Sequence, residues 1–184
     1  MSHHRKQLVS ALRVVVADKI NSGSMPMTLE DFESWRDEDV KTNYYDLGDI
    51  NLDSHDLEDE DGRLNGKGQK EFNDLIAKWN KLSDPFTVYR SICPEGKDID
   101  RMNLGMHWSL GMVGCWGYDY ERPESDQYTF KAVVNKSDVW WNATVLHNLH
   151  WGEEEITMLP GRRIQITIKN PDGTWDEEPF QGKT

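Results

Sequence analysis

The sequence contains only two cysteines among its 184 residues, Cys93 and Cys115. They form no Cys-x-x-Cys pair, and neither has a histidine at the spacing of a zinc site. A scaffold held together by disulfides is therefore excluded by number, and a structural zinc site is not expected.

Long hydrophobic runs are also missing. The longest apolar run near the start is "LRVVVA", residues 12–17, which is far too short to span a membrane. No signal-peptide cleavage pattern accompanies it. These features predict a soluble protein of the cytoplasm that has no contact with a membrane.

Basic residues are scarce relative to acidic ones, with 21 Lys and Arg against 33 Asp and Glu and a net charge of −12. Binding to nucleic acid depends on phosphate contacts from clustered Lys and Arg. A nucleic-acid partner is therefore not expected. A strongly acidic protein instead suits a basic protein surface or a small ligand.

Several familiar motifs are absent, among them GxGxxG, GxxxxGK[ST], HExxH and GxSxG. The acidic stretch over residues 46–62 does not fit a calcium loop, because Leu57 and Gly68 would occupy positions that need carboxylates. We interpret this stretch as a solvated loop. His147 and His150 have no further ligand nearby in sequence, so we interpret them as ordinary residues and predict no metal site.

Eight tryptophans and 36% hydrophobic residues provide for a sizeable core. The tail beyond Trp175 is expected to fray. The order of elements predicts an α+β fold, with a helical region and acidic loop over 1–83 and a β-rich core over 84–184, packed as one unit. Hydrophobic periodicity predicts helices over 5–20, from Leu29 after a Thr28 cap, and over 67–82, and strands over 85–92, 128–134, 155–159 and 162–168.

Arg90 breaks the pattern of the first strand. Strand alternation places it on the same face as Phe86 and Val88. A buried guanidinium needs an anionic partner because an unpaired buried charge is costly. That partner is either a ligand or an internal carboxylate, and an edge strand would let the side chain point to water instead.

Three consecutive glutamates run into the strand predicted over 155–159. Alternation places Glu153 and Glu155 on one face together with Thr157, with the two carboxylates roughly 6.5–7 Å apart. Such proximity raises the pKa of one carboxyl group. The arrangement suits two carboxylates that address different atoms of one substrate, and the alternative is a solvated strand end with surplus charge.

The segment over 103–118 combines four glycines with polar and aromatic residues. On a strand, His107 and Ser109 would share one face, with Trp108 on the other. The segment is either a core strand that enters a glycine-containing helix or the wall of a ligand cleft.

Over residues 84–168, these features together resemble the arginine-serine-glutamate class of mono-ADP-ribosyltransferases, found in bacterial toxins, phage enzymes and vertebrate ecto-enzymes. "VYRSI" resembles the first core strand of that family. "KAVVNKSDVWWN" followed by "GEEEITMLPGRRIQI" resembles its closing segment, in which a Glu-x-Glu loop enters a strand with Pro-Gly punctuation. The resemblance implies an ADP-ribosyltransferase-like core of mixed or antiparallel strands.

The resemblance also implies roles for single residues. Glu155 would bind the 2′-hydroxyl of the nicotinamide ribose and stabilise the oxocarbenium-like state, while Glu153 would orient or deprotonate an arginine acceptor. Arg90 would hold the NAD pyrophosphate through its fork of donors. No metal is required by this chemistry.

The middle motif of the family, Ser-Thr-Ser or Ser-Trp-Thr, corresponds here to His107-Trp108-Ser109. These residues would contact Glu155 and NAD, with His107 in the position of the serine that orients the glutamate. The nicotinamide would stack on an aromatic side chain, for which Trp108, Trp116 and Tyr118 are candidates.

The expected function is thus transfer of ADP-ribose from NAD to a host protein by a phage or bacterial effector in the bacterial cytoplasm. One alternative is an acidic, non-enzymatic inhibitor that occludes a host protein without binding NAD. Another is a degenerate transferase fold that only binds or hydrolyses NAD.

Overall fold

A computed structural model describes residues 28–37, 52, 56–92, 104–112, 128–152, 154–170 and 172–184. The helix predicted over 5–20, Glu153, Trp116 and Tyr118 lie outside these ranges. The described part contains three α-helices and six β-strands: α1 (Leu29–Trp35), α2 (Gly66–Asn80), β1 (Phe86–Ile92), β2 (His107–Ser109), β3 (Tyr128–Val134), α3 (Trp141–Trp151), β4 (Glu155–Thr157), β5 (Arg163–Ile168) and β6 (Phe180–Lys183).

The six strands form one antiparallel sheet in the order β4-β2-β1-β3-β5-β6. The α+β class is therefore confirmed, as are the strands predicted over 85–92 and 128–134. These two strands pair along their whole length, from Phe86 opposite Val134 to Ile92 opposite Tyr128. β1 thus lies inside the sheet, so Arg90 is not an edge-strand residue.

The two faces of the sheet differ in polarity because side chains alternate along each strand. Val88, Ala132 and Ile166 lie opposite one another and are buried. The next row along the strands, Tyr89 with Lys131, is on the other face and only partly buried. One face of the sheet therefore contributes to the core, and the other presents polar groups.

The helices add aromatic side chains to the same core. α1 begins with the predicted Thr28 cap, whose hydroxyl accepts from the backbone N–H of Asp31. The rings of Phe32 and Phe72 lie 5.4 Å apart and join α1 to α2. None of the helices in the described ranges is both long enough and apolar enough to cross a membrane.

The structure corrects the prediction for the C-terminal tail. Rather than fraying after Trp175, the chain forms β6, which pairs with β5. The Thr184 hydroxyl then donates to the Leu159 carbonyl at 2.6 Å. The segment "FQGK" has only four residues and includes a glycine, so the sequence pattern did not predict a strand there. Pairing with β5 stabilises this strand.

The acidic stretch is likewise more than a solvated loop in its described part. Leu57 is 1% exposed and belongs to the core. Glu58 forms an ion pair with Arg36 at 2.7 Å, and both side chains are largely buried. The density of acidic residues predicted a solvated loop, because it does not indicate that Glu58 pairs with Arg36 or that Leu57 packs in the core.

Candidate active site

The helix α3, which the periodicity did not predict, covers the outer edge of β4. Nearly every residue of α3 is buried, so it lacks the polar stripe that marks an amphipathic helix. It ends at Gly152, whose φ of 69° is left-handed and suits glycine at a helix C-terminus. The chain then reverses and enters β4 alongside the helix.

Polar residues at helical spacing connect α3 to this strand. The Thr144 hydroxyl accepts from the backbone N–H of Thr157 at 3.0 Å. The Asn148 amide donates to the Glu155 carbonyl at 2.6 Å. Because unpaired buried backbone groups are costly, these two side chains complete the edge strand and fix its position against the helix.

The carboxylate of Glu155 lies between α3, β2 and β4 and is nearly inaccessible, with the residue 4% exposed. Three groups surround its Oε1 atom: His107 Nδ1 at 2.6 Å, His147 Nδ1 at 3.1 Å and Thr157 Oγ1 at 3.0 Å. Within the described ranges, no donor forms a hydrogen bond with Oε2. The carboxylate is thus held through one oxygen.

The environment keeps this carboxylate ionised. Burial is the largest single influence and raises the pKa of Glu155, because it penalises the charged form. Hydrogen bonds from His107 and His147, together with their charge, outweigh burial and lower the pKa to about 2. The sequence predicts a raised pKa for one of Glu153 and Glu155; for Glu155 the pKa is lowered instead, because the side chains around it are hydrogen-bond donors.

Two of the residues predicted on β2 share the face of Glu155. His107 lies opposite Thr157, and Ser109 lies opposite Glu155. The His107 side chain is 41% exposed and connects the buried carboxylate to solvent. The Ser109 hydroxyl instead donates to the Gly111 carbonyl at 3.0 Å, so Ser109 shapes the following turn.

The side chains of Trp108 and Arg90 are on the face of the sheet opposite Glu155. Tyr89 pairs with Ser109, which shares the face of Glu155, and side chains alternate along each strand. The indole of Trp108 is buried and donates to the Gly105 carbonyl at 3.1 Å. Arg90 donates to the backbone carbonyl of His107. The structure therefore does not bring Trp108 or the Arg90 guanidinium to the Glu155 carboxylate.

The regular strand begins at Glu155. Glu154 has a left-handed φ of 55°, and its exposed side chain forms an ion pair with Lys78 of α2. The structure therefore describes regular alternation from Glu155 onwards, and the spacing between the Glu153 and Glu155 carboxylates stays a prediction. Glu153 itself lies outside the described residues.

His147 is the site residue that the sequence did not identify. The sequence predicts an ordinary role for His147, whereas the structure places it against Glu155. A signal was available, since Thr144, His147 and Asn148 have the i, i+3, i+4 spacing of one helical face within an otherwise apolar stretch. His107, His147 and Glu155 also bring together donor atoms that could hold a metal ion.

No protein-family model, no curated protein and no solved structure matches the chain.

Proposed function

We propose that the protein is a NAD-dependent mono-ADP-ribosyltransferase that modifies a protein target. The observation that carries the proposal is the Glu155 carboxylate, anchored through Oε1 by three donors. The type of reaction comes from the sequence resemblance to the arginine-serine-glutamate class.

The chemistry requires a fixed negative charge. When the bond between nicotinamide and ribose C1′ breaks, the bonding electrons leave with nicotinamide and positive charge develops on the ribose. A carboxylate that is already ionised and oriented stabilises this charge without reorganising during the reaction. Glu155 has these properties, and its Oε2 can accept a hydrogen bond from a ribose hydroxyl.

The strand order supports the proposal as well. The three predicted motifs lie on β1, β2 and β4, and these strands are consecutive in the sheet. His107 donates to Glu155 from β2, which is the task that the resemblance assigns to the first serine of the middle motif. An imidazole N–H can replace a hydroxyl as the donor.

Arg90 and Glu153 have separate roles in the proposal. Arg90 acts as a positioning residue, because its guanidinium donates a hydrogen bond to the carbonyl of His107 on β2. Its side chain is on the face of the sheet opposite Glu155. Glu153 keeps the acceptor-orienting role that the resemblance implies, with arginine as the acceptor. The partners are therefore NAD as substrate and a host protein as target.

Transfer of label from NAD to protein in a bacterial lysate tests the proposal. Glu155→Gln removes the charge at nearly constant volume and should reduce labelling by about 100-fold or more. Glu154→Gln is the matched control, because it removes the neighbouring exposed carboxylate and should retain activity.

The outcomes separate the proposal from its rivals. A labelled protein band that is lost with Glu155→Gln and kept with Glu154→Gln supports the transferase. NAD hydrolysis without a labelled band indicates a degenerate enzyme. If calorimetry detects no NAD binding and no label is transferred, the proposal is overturned and the acidic binding protein becomes the better account.

A further inference from the structure

Three potential metal ligands converge from three separate elements: His107 from β2, His147 from α3 and Glu155 from β4. One donor atom of each lies within 4.8 Å of the other two. Two imidazoles and one carboxylate form a donor set that suits Zn²⁺ and related transition-metal ions, whereas Mg²⁺ and Ca²⁺ prefer oxygen ligands alone.

We propose that His107, His147 and Glu155 form a binding site for a divalent transition-metal ion, with Zn²⁺ as its probe. His147 and Glu155 are held by burial within the fold. The Thr157 hydroxyl donates to Glu155 at 3.0 Å and supplies the outer contact that orients a ligating carboxylate. The half-exposed His107 leaves a fourth position open to water.

The required rearrangement is small. Two ligands bound tetrahedrally to one zinc ion lie about 3.4 Å apart when each bond is about 2.1 Å long. Glu155 Oε1 is now 2.6 Å from His107 Nδ1 and 3.1 Å from His147 Nδ1. These two contacts would each lengthen by less than about 1 Å to admit the ion, which would replace the two imidazole hydrogen bonds, and the two imidazole donors already lie within 4.8 Å of each other.

One feature limits the affinity. The Nε2 atom of His147 is buried and has no hydrogen-bond partner among the residues that the structure describes. A ligating histidine usually donates from its second nitrogen to an acceptor, and loss of that acceptor weakens metal binding by about 10–100-fold. We therefore expect reversible binding that a chelator removes.

Metal binding would interfere with the proposed transfer reaction, because the ion would neutralise Glu155. This consequence rests on the proposed function, whereas the binding itself does not. Titration of the full chain with ZnCl₂, followed by calorimetry in the absence of NAD, therefore tests the site separately from activity.

The experiment compares the chelator-treated wild type with His107→Ala and His150→Ala. His107→Ala removes the most exposed ligand, and we expect it to weaken binding at this site by at least about 100-fold. His150→Ala is the control, because it removes a histidine of α3, the helix that carries His147, whose own ring packs on Trp151. It should bind like the wild type, and Mg²⁺ should not compete.

A second variant shows whether any loss of binding comes from misfolding. Glu155→Gln should also lose the site while keeping the far-ultraviolet circular dichroism of the wild type. The proposal is overturned if the wild type binds no Zn²⁺, or if all variants bind equally, since binding would then come from other groups such as His3 and His4. Inhibition of transfer by Zn²⁺ is expected only where both this site and the proposed activity exist.

Discussion

His147 Nδ1 lies 3.1 Å from Oε1 of Glu155, across the turn at Gly152 that joins α3 to β4. The same oxygen accepts a hydrogen bond from Nδ1 of His107 on β2. A carboxylate shared by two imidazoles cannot shift without breaking contacts to a helix and to a strand. This arrangement accounts for both the orientation and the ionised state of Glu155.

His107 is predicted to act through the orientation of Glu155. His107→Ala should lower kcat of the proposed transfer by at least about tenfold, because it removes one donor to a carboxylate that must stay fixed. KM for NAD should change little. Transfer kinetics measured with a chelator present will separate the two constants.

The matched variants are His107→Ser and Ser109→Ala. Serine restores a hydroxyl donor, the residue type implied by the resemblance, and should recover part of the activity. Ser109 bonds to Gly111 rather than to Glu155, so its loss should affect kcat less. Equal losses with His107→Ala and Ser109→Ala would contradict the assigned roles.

Acid should weaken the fold through Glu155. Its pKa is about 2 in the folded protein, below the ordinary value of 4.5, so its contribution is present above pH 4.5 and disappears as the pH falls towards 2. Linkage predicts a loss of about 2 kcal/mol in the free energy of unfolding between about pH 6 and about pH 3.

Urea unfolding at both pH values, with a chelator present, will measure this loss. The Glu155→Gln variant cannot titrate at this position and should lose about 2 kcal/mol less than the wild type over the same interval. An equal pH dependence for the two proteins would show that other carboxyl groups account for acid unfolding.

Local patterns in the sequence predicted most of the fold. The strands over 85–92 and 128–134 alternate clearly, and α2 has one apolar face. The periodicity did not predict α3, because this helix is buried on nearly all sides and has no single apolar face. β6 escaped because its four residues depend on pairing with β5.

The site was only partly predictable for a related reason. His107 and Glu155 stood out because polar groups on core strands are unusual. Their contact, and that of His147, depends on the pairing of β2 with β4 and on the turn at Gly152, which local spacing does not encode. The face of the sheet on which the Arg90 side chain lies likewise depends on the register between β1 and β2.

Arg90 offers a test of that register. If it supports β2 through the His107 carbonyl, Arg90→Lys should lower kcat while leaving KM for NAD nearly unchanged, since an ammonium cannot reproduce the fork of donors. An arginine that holds the NAD pyrophosphate would instead raise KM strongly when replaced. Steady-state kinetics of the variant therefore distinguish the two roles.

The contact between α3 and β4 is predicted to stabilise the whole site. Thr144→Val keeps the volume but removes the hydroxyl that pairs with the buried backbone of Thr157. Leaving that N–H without an acceptor should cost about 1–3 kcal/mol in the free energy of unfolding. Thr87→Val, on the partly exposed face of β1, is the control and should change it by less than about 0.5 kcal/mol. Chemical denaturation of both variants measures the difference, and equal values would mean that the side chains of α3 do not secure the strand that carries Glu155.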